Sequence, residues 1–168
     1  MNEPGAPGIS DSDGPHKKVK TVSIMRAVLL VILLFGLVGS GAELLLLNHW
    51  EGWLQWIPLV LIFLSFVALG WHAIQANRAS TRAIQGTMVA FIVAGLAGVY
   101  FHYRGSVEFK LESNPSLTGW PLFWEAIRSK TPPALAPGVM IQLGLIGLAY
   151  TYRHPALFTT KIELDEGE

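Results

Sequence analysis

Glu43 lies in GSGAELLLL, inside a stretch that is otherwise apolar enough to cross a membrane. A buried carboxylate costs free energy unless it is paired or protonated, so we expect Glu43 to point into the protein. Glu43 lies about four residues before the predicted end of the first span, and Gln142 lies about four residues after the predicted start of the fourth. Both of these span ends are expected at the same side of the membrane, so both side chains are expected at a depth of about 6 Å. The expected outer polar cluster comprises Glu43, Gln142, Tyr100, His102 and Arg104.

Two interpretations of this outer cluster remain open. In the first, Glu43, Gln142 and Arg104 form a polar clamp that ties three helices together. In the second, the cluster is a site for a proton, an ion or a small ligand, because ionisable groups within a membrane commonly have functional roles. A membrane-embedded acid–base pair of Glu43 and His102 is a further alternative.

The histidines suggest metal chemistry, but their placement argues against it. His49 and His102 fall at one predicted face and His72 and His154 at the other, so two pairs could ligate b-type haem. Ligands of bundle cofactors normally project from facing helices into the core, whereas His49 and His154 fall at or beyond helix ends. His49, Glu51 and His102 are weak metal candidates because they lack close ligand spacing. We therefore expect neither haem nor metal.

Several function classes lack their sequence signatures. The chain has no cysteine, which excludes Cys-ligated zinc and iron–sulfur clusters. It has no nucleophile motif, phosphate-binding loop or dinucleotide fingerprint, so we expect a protein that is not an enzyme. Its formal net charge is zero and no basic stripe is present, so nucleic acid is not an expected partner.

The elements that carry these residues are predicted to be membrane helices. Hydrophobic residues make up 51% of the 168 residues and charged residues 14%, compared with about 25% charged in soluble domains. The apolar residues form blocks near the roughly 20 residues that a helical span needs. The predicted fold is an all-α integral membrane protein with four transmembrane helices in a compact bundle. The spans are 25–47, 56–75, 83–102 and 138–152, within a membrane domain at 23–155.

The distribution of positive charge predicts that both termini are cytoplasmic. One predicted side carries eight basic residues and the other carries four: Lys17, Lys18, Lys20, Arg26, Arg78, Arg82, Arg153 and Lys161 against Arg104, Lys110, Arg128 and Lys130. We expect residues 1–22 to be a disordered cytoplasmic tail and residues 156–168 to be an acidic one. Alternatively, the first span is a cleaved signal peptide, with Ser40 and Ala42 at the cleavage site.

Small residues predict where the helices pack, because close approach of backbones drives helix association in lipid. The third span carries Gly86, Ala90, Ala94 and Gly98 at intervals of four, and the first carries Gly36 and Ser40. We expect these ridges to form the interfaces and Phe91 to face lipid.

The outer loop, residues 103–137, is predicted to contain a short amphipathic helix at the membrane surface. Its apolar stripe is Trp120, Phe123, Trp124 and Ile127, with Thr118 as a cap and Pro121 in the first turn. This helix is expected either to pack as a lid on the bundle or to dock a partner.

The functional hypothesis is a small accessory subunit or binding module that presents this aromatic loop outward. A small transporter or proton-linked permease that uses the outer cluster is the alternative, although no internal repeat is present. Expected partners are the lipid bilayer and a membrane protein or a second copy of the chain. In size and layout the chain resembles small bacterial four-span proteins, which implies the bacterial cytoplasmic (inner) membrane.

Overall fold

The computed structural model describes residues 15–47, 52–128 and 135–158, with side chains from residue 19 onward. Every regular element in these ranges is helical. The five α-helices are α1 (Pro15–Leu46), α2 (Trp56–Ile74), α3 (Arg78–Ser113), α4 (Gly119–Ile127) and α5 (Leu135–Thr151). Short 3₁₀ helices at Trp53–Gln55 and Pro155–Leu157 precede α2 and follow α5.

Three segments are long and apolar enough to cross a membrane: Val19–Leu46, Trp53–Ile74 and Arg78–Ser113. The prediction of an all-helical protein is confirmed for the described residues, and these three helices are compatible with the predicted spans. The fourth predicted span corresponds to α5, which has 17 residues and a length of about 25 Å.

Two helices are longer than predicted. α1 begins at Pro15, within the segment expected to be a disordered tail, while residues 1–14 and 159–168 lie outside the described residues. α3 continues to Ser113, so residues 103–113, assigned to the outer loop, are helical. A 36-residue helix is about 54 Å long, which exceeds a hydrocarbon thickness of about 30 Å. We call residues 103–113 the stalk.

α3 and α5 form the most extensive contact between helices and run antiparallel. Gly98 lies against Pro137, Gly95 against Ile141, and Gly144 against Ile92. A Cβ added at Gly95 would lie 2.8 Å from the carbonyl oxygen of Pro137. A Cβ at Gly144 would lie 2.7 Å from that of Met88. Backbone approach this close requires glycine.

The outer helices pack on this central pair. α1 lies against α5 through Gly36, which contacts Leu143, and α2 lies against α3. The core between the helices includes Leu33, Leu37, Met88, Phe91 and Leu143.

The predicted small-residue ridge of α3 coincides only in part with the contact face that the structure shows. Gly86 is exposed and has no atom within 4 Å of the place where a Cβ would stand. Ala90 and Ala94 are half-buried and pack against the core, as predicted. Ser40 is half-buried, and Gly98 and Gly36 make close contacts. Phe91, expected to face lipid, is fully buried, so that expectation is wrong. In a membrane helix both faces are apolar, so hydrophobicity alone did not identify the packed face.

Candidate functional site

The structure places Glu43 in the last turn of α1 with an exposed side chain. Within the described residues the side chain has no hydrogen bond or ion pair. This differs from the expected inward orientation. A carboxylate one turn from a helix end can reach water, which satisfies it without a partner.

Gln142 does not lie level with Glu43 along the bundle. Its neighbour Leu143 packs on Gly36, and Glu43 lies two helical turns, or about 10 Å, further along α1. The expected match in depth assumed a span that begins at residue 138, whereas α5 begins at Leu135. Gln142 is also exposed.

The other predicted members of the outer cluster are exposed on α3. Arg104 forms an ion pair with Glu108, one turn further along the same helix, at 3.0 Å. Tyr100 contacts the ring of its neighbour Phe101, and His102 is exposed. The weak metal candidates His49 and Glu51 lie outside the described residues. In the part of the chain that the structure describes, no hydrogen bond, ion pair or ring contact joins the members of the predicted cluster to one another, so its role stays a prediction.

The predicted helix of the outer loop is present as α4, packed beside the stalk. Trp120 stacks on Phe123 with 5.1 Å between ring centroids, and Trp124 meets Trp120 edge to face at 5.6 Å. Tyr103 of the stalk contacts Phe123, and Lys110 donates to Glu125 at 3.0 Å. Thr118 occupies the cap position but makes no side-chain cap bond, and Ile127 is half-buried. We call Trp120, Phe123 and Trp124 the aromatic face.

A buried polar cluster lies at the opposite end of the bundle, where α2 ends and α3 begins. His72 and Ser80 are both buried, and His72 Nδ1 lies 2.8 Å from Ser80 Oγ. Asn77 caps α3 by accepting a hydrogen bond from the Ser80 N–H at 2.8 Å. The turn between the two helices therefore fixes the position of the serine that faces the histidine.

The hydrogen bonds of Ser80 assign the proton of His72. Ser80 Oγ lies 2.8 Å from the carbonyl oxygen of Gln75 and 3.0 Å from that of Asn77, and both are acceptors only. The single hydroxyl proton is donated to these carbonyls, so Oγ accepts from His72. We therefore assign the His72 tautomer with the proton on Nδ1 and a free lone pair on Nε2.

His154 brings the C-terminal segment into this cluster. Its ring meets the ring of His72 edge to face with 4.9 Å between centroids. Its Nδ1 accepts a hydrogen bond from the Ala156 N–H at 3.3 Å, which caps the 3₁₀ helix Pro155–Leu157. Tyr150, which is buried, lies against both rings, with centroid distances of 6.3 Å to His72 and 5.9 Å to His154.

Arg26 of α1 holds the end of α5 beside the histidines. Its guanidinium donates to the carbonyl oxygens of Tyr152 at 3.3 Å and of Arg153 at 2.9 Å. Arg153 has a positive φ of 48°, which ends α5 and turns the chain. A cation at this place also interacts favourably with the negative end of the helix dipole.

The electrostatic surroundings favour neutral histidine. Burial lowers the pKa of His154, and repulsion from His72, when that ring is protonated, and from Arg26 lowers it further. The carboxylates of the described residues are Glu43, Glu108, Glu112 and Glu125, and none makes an ion pair with either histidine. A protonated imidazole here would lie in a partly desolvated place next to other cations.

This arrangement suits proton binding better than metal or haem binding. The two imidazoles touch edge to face, which leaves no gap for a porphyrin plane between them. No set of three or more His, Cys, Asp or Glu side chains in the described ranges could hold a metal ion. What the cluster can do is gain a proton, since histidine is the side chain that titrates near neutral pH.

Sequence reasoning paired His72 with His154 at one face but did not identify this cluster. The missing information was the capping sequence that follows α2, in which Asn77 and Ser80 have the spacing of an N-cap and its third helical residue. That pattern places a serine one turn inside α3, at the level of His72.

In comparisons with protein-family models, with curated proteins and with solved structures, the chain matches none.

Proposed function

We propose that the chain is a four-span accessory subunit of a bacterial cytoplasmic membrane that presents the aromatic face outward to a membrane-protein partner. The first part of the proposal is that α5 forms a fourth membrane span. α5 lies along α3 from Pro137, beside Gly98, to Gly147, beside Met88. If α3 crosses the bilayer, α5 lies at the same depth beside it.

The orientation of the bundle rests on its charges. The end that carries Arg26, Arg78, Arg82 and Arg153 is the more basic one, so we place it in the cytoplasm with both termini. The stalk and α4 then project from the outer surface. Trp and Tyr side chains near the base of the stalk are typical of a membrane–water interface.

The observation that carries the functional proposal is the combination of exposure and rigidity in the aromatic face. Trp120 is 66% exposed and Trp124 45%, although each ring packs against other rings of α4. Ala126 of the same helix is fully buried, and the Lys110–Glu125 pair holds α4 to the stalk. Preorganised aromatic side chains bind with a small entropic cost, and Trp is enriched at binding hot spots.

The transporter alternative has less support, since Glu43 and Gln142 are exposed at different levels of the bundle. An enzymatic role gains no support from the outer end, where Arg104 pairs with Glu108 and Lys110 with Glu125. These pairs are surface ion pairs, which typically contribute little more than about 0.5 kcal/mol each.

The test is purification of the tagged full-length chain from native membranes in mild detergent, with the double variant Trp120→Ala/Trp124→Ala beside the wild type. We expect a stoichiometric membrane-protein partner with the wild type and its loss with the double variant. Trp53→Ala is the matched control, because Trp53 is 78% exposed but lies outside α4.

Three outcomes would contradict the proposal. One is equal recovery of the partner with the double variant. Another is a complex that contains only copies of this chain. The third is substrate flux in liposomes that contain this protein alone, which would favour the transporter. Unchanged thermal unfolding of the double variant ensures that a loss of partner reflects the surface rather than the fold.

A further inference from the structure

We propose that His72 and His154 form a proton-operated latch, in which protonation at mildly acidic pH releases residues 152–158 from the ends of α2 and α3. The proposal is independent of the partner surface, since the latch lies at the other end of the bundle. It assigns a proton-binding site to side chains that the proposed function does not use.

The docked state requires neutral His154 for a geometric reason. The Nδ1 lone pair accepts the Ala156 N–H, and this bond caps the 3₁₀ helix Pro155–Leu157. In the imidazolium form both ring nitrogens carry protons, so Nδ1 can no longer accept. Protonation therefore breaks the capping hydrogen bond. The Nδ1–H of His154 then faces the N–H of Ala156, so two donors oppose each other.

Protonation also introduces charge where the surroundings are already positive. From α1, the guanidinium of Arg26 is bonded to the carbonyls of Tyr152 and Arg153, directly before His154. From α2, His72 contacts the ring itself. From α5, Tyr150 offers a ring rather than a carboxylate, and from α3 the nearby hydroxyl of Ser80 is already engaged by His72. Arg78 and Arg82 near this end of α3 are exposed, as is Arg153 beside the histidine.

A change of tautomer in His72 cannot relieve this repulsion between positive charges. Its Nδ1 proton is committed to Ser80, so a second proton must bind at Nε2 and make the ring cationic. A neutral pair is therefore stable, while a pair with one or two added protons is opposed by burial and by the neighbouring cations. The low pKa of His154 is consistent with this arrangement.

Arg26 and Ala156 also hold the segment that would be released. Arg26 bonds its first two carbonyls, and Ala156 is buried against the bundle. Phe158 at the end of the described segment is exposed. The acidic residues Glu163, Asp165, Glu166 and Glu168 follow in the sequence, so release would change where this negative charge is anchored.

The chain has no cysteine, so a single nitroxide label can report release. We would label Phe158→Cys in the full-length protein in lipid nanodiscs and record the mobility of the label between about pH 8 and about pH 5. We expect the mobile component to grow as the pH falls. Across this range, the ratio of released to docked protein should change about tenfold for each unit by which the pKa of His154 differs between the docked and the released state.

Two variants distinguish the latch from a general effect of acid. His154→Asn keeps an oxygen acceptor for the Ala156 N–H but does not titrate, and Asn is a favoured cap residue. We expect its label to remain immobile at both ends of the pH range, and His72→Gln to weaken the response. His102→Gln is the control, because His102 is exposed on α3 at the other end. A wild-type label that does not respond to pH, or a full response retained in His154→Asn, would overturn the proposal.

Discussion

The imidazole of His154 packs edge to face on that of His72, with 4.9 Å between the ring centroids. This contact joins the C-terminal segment to the end of α2, while Ser80 fixes the His72 ring from α3. Three parts of the chain thus meet at two histidines. The stability of the protein is therefore expected to depend on the protonation state of these two histidines.

Thermal stability should fall with acidification near neutral pH. Burial first, and then repulsion from His72, when that ring is protonated, and from Arg26 lower the pKa of folded His154. The unfolded chain takes up this proton near pH 6.5, whereas the folded chain takes it up only at lower pH, so acid favours the unfolded state in between. The contribution is therefore complete above about pH 6.5 and is lost as the pH falls through the folded pKa.

Circular dichroism of the detergent-solubilised protein during heating would measure this dependence. We expect the Tm of His154→Asn to vary less with pH than that of the wild type. His102→Asn should follow the wild-type curve. Parallel curves for the wild type and His154→Asn would contradict the assignment.

Ser80→Ala should destabilise the folded protein by about 1–3 kcal/mol. The substitution leaves the buried Nδ1–H of His72 without its acceptor, and an unsatisfied buried donor costs about this much. Ser113→Ala is the matched control, because Ser113 is exposed and bonds only to the Phe109 carbonyl of its own helix. A Tm for Ser80→Ala equal to that of Ser113→Ala would show that the His72 bond contributes nothing.

Arg26→Gln should loosen the junction between α1 and the end of α5. It removes hydrogen bonds from a charged donor to two carbonyls, and such bonds contribute about 1.5–3 kcal/mol. Hydrogen exchange of the amides in residues 150–158 should accelerate. Arg82→Gln is the comparison, since Arg82 is exposed. Equal exchange rates in the two variants would show that Arg26 does not stabilise the junction.

Gly144→Ala should destabilise the bundle by about 1–3 kcal/mol, because an added methyl group meets the Met88 carbonyl oxygen at 2.7 Å. Gly86→Ala should be neutral or slightly stabilising, since Gly86 has open space around it and alanine is the better helix former. Thermal unfolding of the two variants measures the difference. The reverse order would mean that α3 packs through its Gly86 face instead.

Glu43→Gln should change the stability by less than about 0.5 kcal/mol, as is usual for exposed positions away from special features. It keeps the shape and hydrogen-bonding capacity of the side chain but removes its charge. Thermal unfolding and an assay of proton or cation flux in liposomes would measure the effect. A flux that the wild type supports and the variant loses would restore the functional interpretation of the outer cluster.

The sequence by itself determined the helical character of the protein, its apolar spans and the position of α4. These features depend on composition and on order along the chain: long apolar blocks predict helices in lipid, and Trp120, Phe123 and Trp124 recur at helical spacing. The NPS turn before α4 is local as well, since Asn114 accepts from the N–H and the hydroxyl of Ser116.

The tertiary structure decided which side chains meet. In a membrane helix the lipid-facing and the packed faces are both apolar, so the sequence does not show that Phe91 is buried while Gly86 is exposed. The register of α5 on α1 and α3 depends on close contacts at Gly36, Gly95 and Gly144, and it separates Gln142 from Glu43. The contact of His72 with His154 likewise requires that α5 ends beside the α2–α3 turn, which only the packing of all three helices brings about.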